Sequence, residues 1–230
     1  MTKRPESLSA MILAAGRGER MRPLTDHTPK PLLHAGSAPL IEHTVRALAA
    51  GGYRHLVINH AHLGAQIPGA LGDGRRFGVT IEYSDEGDTG LETGGGIYRA
   101  LPLLRSDPFV VVNGDIWTDF GFAGLPPQLP GLAHLVLIDN PPHHPGGDFC
   151  LERGLVRECA GARLTFSGIG VYRRALFAGC VDGKFPLGPL LRAAMPGGAV
   201  SGEHFHGSWM DIGTPDRLEQ LDTYLRSTGQ

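Results

Sequence analysis

The chain has 230 residues, of which 21 are Lys or Arg and 23 are Asp or Glu, for a net charge of −2. That near-balance makes no electrostatic case for nucleic acid or an anionic membrane as partner, and no stretch approaches the roughly 20 apolar residues of a membrane span. The length fits one sizeable α/β domain over residues 1–230, with residues 1–8 as a flexible N-terminal extension.

The charged start is followed by an apolar run too short for a secretory signal, so a cytoplasmic protein is expected. Cys150, Cys159 and Cys180 are odd in number and too widely spaced for zinc. They read as three packing residues in a reducing compartment.

Small and apolar residues at 11–15 predict a strand that runs straight into Gly16-Arg17-Gly18, and the chain then delivers Glu19, Arg20, Met21, Arg22 and, further on, Lys30. Glycines at 16 and 18 free the backbone and leave N–H groups unshielded, a nest for phosphate oxygens, and Arg20 and Lys30 add full positive charge. Met21 stands where a dinucleotide fingerprint needs a third small residue, and no Walker-type Gly-Lys-Ser/Thr occurs.

A helix is predicted over 39–50, stopped by Gly51-Gly52, then a strand over 55–59, an imperfect helix over 63–71 interrupted by Pro68 and Gly69, and a strand over 79–83. This alternation predicts a parallel sheet covered by helices, with ligands gathering at the strands' carboxyl ends. The glycine cluster from Gly87 to Gly96 reads as a loop ahead of a helix over 97–103.

Residues 109–112 are apolar throughout and predict a central strand. Asp115, behind the permissive Gly114 at its end, is placed to bind a hard cation such as Mg²⁺ or to close an Asx turn. A buried strand over 133–138 leads to Asp139, His143, His144 and Asp148; the histidine pair reads as loop residues, and Asp148 as an acceptor for hydrogen bonds from sugar hydroxyls. Short strands follow up to residue 172, with Ser167-Gly168 marking a close approach by another group. A helix over 187–195, a strand over 209–212 containing Asp211, and a closing helix over 215–225 capped by Thr214 complete the pattern.

The run Leu13-Ala14-Ala15-Gly16-Arg17-Gly18-Glu19-Arg20-Met21 with the later Lys30-Pro31 resembles the signature of the sugar-phosphate nucleotidylyltransferases, which join a nucleoside triphosphate to a sugar 1-phosphate. The resemblance implies a Rossmann-like, mixed, mostly parallel sheet covered by helices. It implies catalytic roles for Arg20, Lys30 and Asp115, and nucleotide contacts from Ala15, Gly16, Gly18, Glu19, Arg20, Lys30, Gly87, Glu92, Thr93 and Gly94. It further implies sugar-phosphate contacts from Asn113, Asp148 and Ser167, and Mg²⁺ held jointly by Asp115 and Asp211.

A narrower likeness covers nearly the whole chain and points to one branch of the family: uridylyltransferases whose acceptor is an amino-sugar 1-phosphate bearing a lactyl carboxylate. Its carriers include Leu91-Glu92-Thr93-Gly94-Gly95-Gly96, Val112-Asn113-Gly114-Asp115, Asp139-Asn140-Pro141 and Ser201-Gly202-Glu203-His204. The partners implied are thus two small molecules. The loop over 84–90 is one residue longer than the family leads one to expect, which leaves Gly87 and Gly90 as rivals. Residues 132–183 contain no lysine for the sugar phosphate, so Arg153, Arg157, Arg163 or the metal would serve. Those arginines, with His143 and His144, are also the candidates for the acceptor's carboxylate. A nucleotide-sugar-dependent glycosyltransferase and a non-catalytic nucleotide-binding domain are the rival readings.

Overall fold

The computed structural model describes residues 8–229. In chain order, β1 (Ser9–Leu13) leads through the small hairpin β2 (His34–Ala35) and β3 (Ala38–Pro39) to α1 (Leu40–Ala50), β4 (His55–His60), α2 (Gln66–Leu71), β5 (Thr80–Asp85), α3 (Glu92–Ala100), β6 (Phe109–Asn113) and β7 (Ile116–Thr118). The second half holds β8 (Ala133–Ile138), the hairpin β9 (Cys150–Glu152) and β10 (Leu155–Arg157), β11 (Thr165–Tyr172), α4 (Gly188–Ala194), β12 (Val200–Phe205), β13 (Trp209–Asp211) and α5 (Pro215–Thr228).

One sheet orders nine strands as β5-β4-β1-β6-β11-β8-β12-β10-β9. All run the same way except β11 and β10, so the sheet is mixed and mostly parallel, with a wholly parallel β5-β4-β1-β6 block. Side chains alternate across it. Ala10 and Ile12 of β1 enter a core with Ile41, Val45 and Leu48 of α1, while Met11 points to the other face with Ile97 and Ala100 of α3 and Leu191 of α4. Coverage on both faces is why the central strands read as unbroken apolar runs.

A third core matters most for function. Met21, Leu40, Trp117, Ile212, Leu221 and Leu225 pack together, which ties the loop after β1 to α1, β7 and α5. Met21 is fully buried, worth about 1.5–3 kcal/mol relative to exposure, so the glycine turn is anchored at its far end by its own methionine.

Several expectations need correction. α3 starts at Glu92, five residues before the predicted onset, and absorbs Gly94, Gly95 and Gly96 into a helix. β12 was not foreseen as a strand, because Ser201, Gly202, Glu203 and His204 are polar or small and only half-buried. Of the predicted flexible extension, residues 1–7 lie outside the described residues, while Leu8 packs into the core. The cysteines are not three independent packing residues: Cys150 and Cys159 form a disulfide and Cys180 is free. The β9–β10 register sets Cys150 opposite Arg157, which brings Cys159 within reach, and the cysteine count therefore no longer argues for a reducing compartment. Among the described residues no helix is long and apolar enough to cross a membrane.

Candidate active site

The carboxyl ends of β1, β4 and β6 open onto a cleft of about 870 Å³. Ala15, Gly16, Gly18, Glu19, Arg20, Lys30, Glu92, Thr93, Asn113 and Asp115 all line it, so ten residues singled out from sequence meet in one place.

The loop is shaped from within. Gly18 has φ +66°, the left-handed region that favours glycine, and a Cβ there would sit 3.0 Å from both Lys30 Cβ and Thr25 Cγ2. Its carbonyl accepts from Met21 N at 2.8 Å and Thr25 Oγ1 at 2.9 Å. Gly16 differs: its φ is ordinary, and no protein atom lies within 4 Å of its would-be Cβ. Left-handed freedom is thus needed at Gly18 alone, and Gly16 leaves room on the cleft side.

Lys30 is buried, with its Nζ 2.7 Å from Asp115 Oδ2. Asp115 is held by its backbone: Gly114 N donates to Leu13 O at 2.8 Å, and a Cβ at Gly114 would collide with that oxygen at 2.5 Å. Behind it, Asp115 O accepts from Ile212 N at 2.7 Å, and the β13–β7 register sets Asp211 opposite Ile116. Asp211 therefore adjoins Asp115 across one backbone bond. Its Oδ1 is bound by the Arg217 guanidinium and lies 2.9 Å from His143 Nε2. Gly213 keeps this corner open, since a Cβ there would meet Arg217 Nη2 at 2.5 Å and Arg20 Nη2 at 3.2 Å.

A buried bridge joins the two loops of the nucleotide side. Asn59 Oδ1 accepts from Ala14 N at 2.7 Å, its Nδ2 donates to Glu86 Oε1 at 2.6 Å, and Glu86 Oε2 accepts from Leu91 N at 2.7 Å. Asn59 and Glu86 were missed from sequence. Their signal was a polar pair at the ends of two apolar strands, where a loop ordinarily needs no buried carboxylate.

The glycine run has a different task from the one expected. A Cβ at Gly94 would strike the Phe185 ring at 2.5 Å, at Gly95 the Gly183 carbonyl at 2.1 Å, and at Gly96 the Glu86 carboxylate at 2.5 Å. Gly94 thus packs on protein and does not line the cleft. Gly94 and Gly95 dock residues 183–185 against α3, reinforced by Gly95 N to Phe185 O at 3.0 Å, while Gly96 makes room for Glu86, and the docked segment puts Lys184 into the cleft. The chain has only three lysines, Lys3, Lys30 and Lys184, and the last two both face this space.

Of the rival glycines, Gly90 lines the cleft, and a Cβ there would be 3.1 Å from Ala15 O. Gly87 instead closes a turn in which its N–H donates to Asp85 Oδ1. Ser167 is buried, its hydroxyl donating to Val136 O at 2.7 Å within an irregularity of β11; the group that approaches Gly168 closely is the Asn113 side chain. Asp148 accepts from Phe166 N at 2.8 Å and pairs with His144, tying its loop to β11. Arg163 donates to Cys159 O, and Arg157 lies 4.0 Å from Glu152. Arg157 belongs to the β9–β10 edge, and β10 is four strand positions from β6, roughly 19 Å at the usual spacing of about 4.8 Å.

The parallel block, the glycine-bounded cleft at its carboxyl ends and the lysine–aspartate pair at its base define a nucleotide-binding α/β enzyme. The nucleotidyl transferase family model matches residues 9–128, and the chain belongs to that family. It is 50% identical to N-acetylmuramate alpha-1-phosphate uridylyltransferase of Neisseria meningitidis serogroup B, over 93% of this chain and 96% of that protein. The enzyme of the same name from Caulobacter vibrioides is 35% identical over 90% and 92%. A putative glucose-1-phosphate thymidylyltransferase from Bacillus anthracis shares the fold, with TM-score 0.84 at 21% identity, covering 95% of both chains.

Proposed function

We propose that the protein transfers the uridylyl group of UTP to N-acetylmuramate 1-phosphate, forming UDP-N-acetylmuramate and pyrophosphate, as a cytoplasmic step in the reuse of peptidoglycan sugars. The Lys30–Asp115 pair at 2.7 Å beneath the Gly16–Gly18 turn supports the reaction class, and the 50% identity across nearly both full lengths supports the substrates.

In this reading a phosphate oxygen of the acceptor attacks the α-phosphorus of UTP, a bond forms there, and the bond to the pyrophosphate oxygen breaks. Positioning and neutralisation of charge suffice, so no side-chain nucleophile is needed. Backbone N–H groups of the loop and Arg20 would bind the triphosphate, while Lys30 is fixed to meet charge passing to the leaving group. Asp115 Oδ1 and Asp211 Oδ2 take no hydrogen bond among the described residues, and carboxylates on two segments joined by the Ile212 N to Asp115 O bond would suit Mg²⁺. Bound there, the ion would neutralise and polarise the phosphates. Asn113 would meet the sugar ring, and the Arg217 guanidinium, beside His143, would receive the acceptor's lactyl carboxylate.

Lys184 is the side chain we assign to the acceptor phosphate, in place of Arg153, Arg157 and Arg163. Lys184→Ala should raise KM for the sugar phosphate about tenfold or more, with the KM for UTP changed much less, a split that initial-rate kinetics would reveal. A loss confined to UTP would move Lys184 to the other substrate.

The test of identity is a panel that crosses four nucleoside triphosphates with the 1-phosphates of muramate, N-acetylglucosamine, glucose and mannose, read by pyrophosphate release. UTP with the muramate should give the highest kcat/KM. A preference for glucose or mannose 1-phosphate would overturn the substrate assignment and leave the reaction class standing.

A further inference from the structure

Outside the cleft, three ligand-type side chains meet at the carboxyl ends of β8 and β12. Asp139, His204 and His206 each present an atom, and all three atoms lie within 4.8 Å of one another. His204 Nε2 is 3.0 Å from Asp139 Oδ1, and the rings of His204 and His206 are 3.9 Å apart.

The backbone builds this arrangement. β12 runs parallel to β8 with Phe205 opposite Ile138, so His206 and Asp139 stand next to each other one residue past the paired ends. Between the histidines, Phe205 packs edge-on against Phe120 and joins the α1-side core. Alternation along a strand then turns His204 and His206 to the opposite face together. Among the described residues Asp139 has no ion-pair partner other than His204, and the nearby Asp119 and Asn140 are spent on Ser208 N and on Pro145 O and Arg163 O. None of the three residues lines the cleft.

We infer that Asp139, His204 and His206 form a second metal site, selective for a borderline first-row divalent ion such as Zn²⁺. Two imidazoles and one carboxylate are the donor set that zinc favours, and ligand atoms about 3.3 Å apart are what bonds near 2.0–2.1 Å in a tetrahedron require. Mg²⁺ prefers oxygen donors throughout. Bound there, the ion would clamp the ends of β8 and β12 and keep an open position for water or an anionic ligand, with the cleft's carboxylates left to Mg²⁺.

Zinc binding by the metal-free protein, measured by competition with a chromogenic chelator in excess Mg²⁺, tests the site. One equivalent should bind, and His206→Ala and His204→Ala should each weaken it roughly tenfold or more, as loss of even an outer-shell partner can do. Asp115→Asn should leave the affinity unchanged. His206 is exposed, so its variant reports on binding without a folding defect, and cobalt(II) should give a tetrahedral d–d spectrum in the wild type and in Asp115→Asn but not in the histidine variants. Wild-type affinity equal to that of His206→Ala, or zinc lost with Asp115→Asn, would overturn the inference; the uridylyl-transfer reading stands or falls separately on the substrate panel.

Discussion

Asp115→Asn should lower kcat by about 10³-fold while costing only about 1 kcal/mol of stability. The two effects separate because the carboxylate does two jobs. As a hydrogen-bond acceptor for Lys30 Nζ at 2.7 Å it is replaced adequately by the asparagine oxygen. As a charge it is not replaced, and removing one preorganised electrostatic group from a transition-state site typically costs about 10²–10³ in rate. The Asp115 side chain is 43% exposed, so solvent screens the lost ion pair and the stability cost stays small. Lys30, at 9% side-chain exposure, keeps a partner and does not become an orphaned buried charge. Rates against Mg²⁺ concentration together with urea unfolding would check both halves. Near-normal turnover at limiting Mg²⁺ would remove Asp115 from the metal site.

The second large effect is on the scaffold. Asn59→Leu keeps the branched shape and the number of side-chain heavy atoms but removes the acceptor of Ala14 N and the donor to Glu86 Oε1. Asn59, Ala14 and Glu86 are all buried, at 2%, 5% and 5% exposure, so water cannot replace the lost bonds. With about 1–3 kcal/mol for each buried group left unsatisfied, a loss of roughly 2–5 kcal/mol is expected. Because the same bridge fixes the loop after β1 to the loop before α3, UTP affinity should fall with it. Denaturant unfolding and a UTP titration are the measurements; a stability change below about 0.5 kcal/mol would mean that something else holds these loops.

The central strands of the sheet were legible because they are apolar on both faces, as with residues 133–138, whose predicted and observed limits coincide for β8. The phosphate loop and Asp115 were legible because their chemistry is local: strand, glycine, charge. What stayed hidden depends on tertiary contact. Gly94, Gly95 and Gly96 look like a ligand-facing loop, yet their missing Cβ atoms make room for Phe185, Gly183 and Glu86, residues separated from them by about 90 positions or lying on the neighbouring loop. Lys184 follows directly from that docking, and no local pattern marks it. Arg217 sits in the first turn of α5, where Thr214 Oγ1 accepts from its backbone N at 3.4 Å, and reads as an ordinary helix residue until β13 brings Asp211 beside it. Ser167 misled in the opposite direction, since a hydroxyl beside a glycine in a strand marked a bulge and a packed asparagine.

The most direct test follows the α-phosphate of UTP. With α-labelled UTP, Mg²⁺ and N-acetylmuramate 1-phosphate, the label should appear in UDP-N-acetylmuramate in step with unlabelled pyrophosphate, and neither product should form when the sugar phosphate is omitted. Label released as free nucleotide at a rate indifferent to the sugar phosphate would contradict an attack by the acceptor on the α-phosphorus in this cleft.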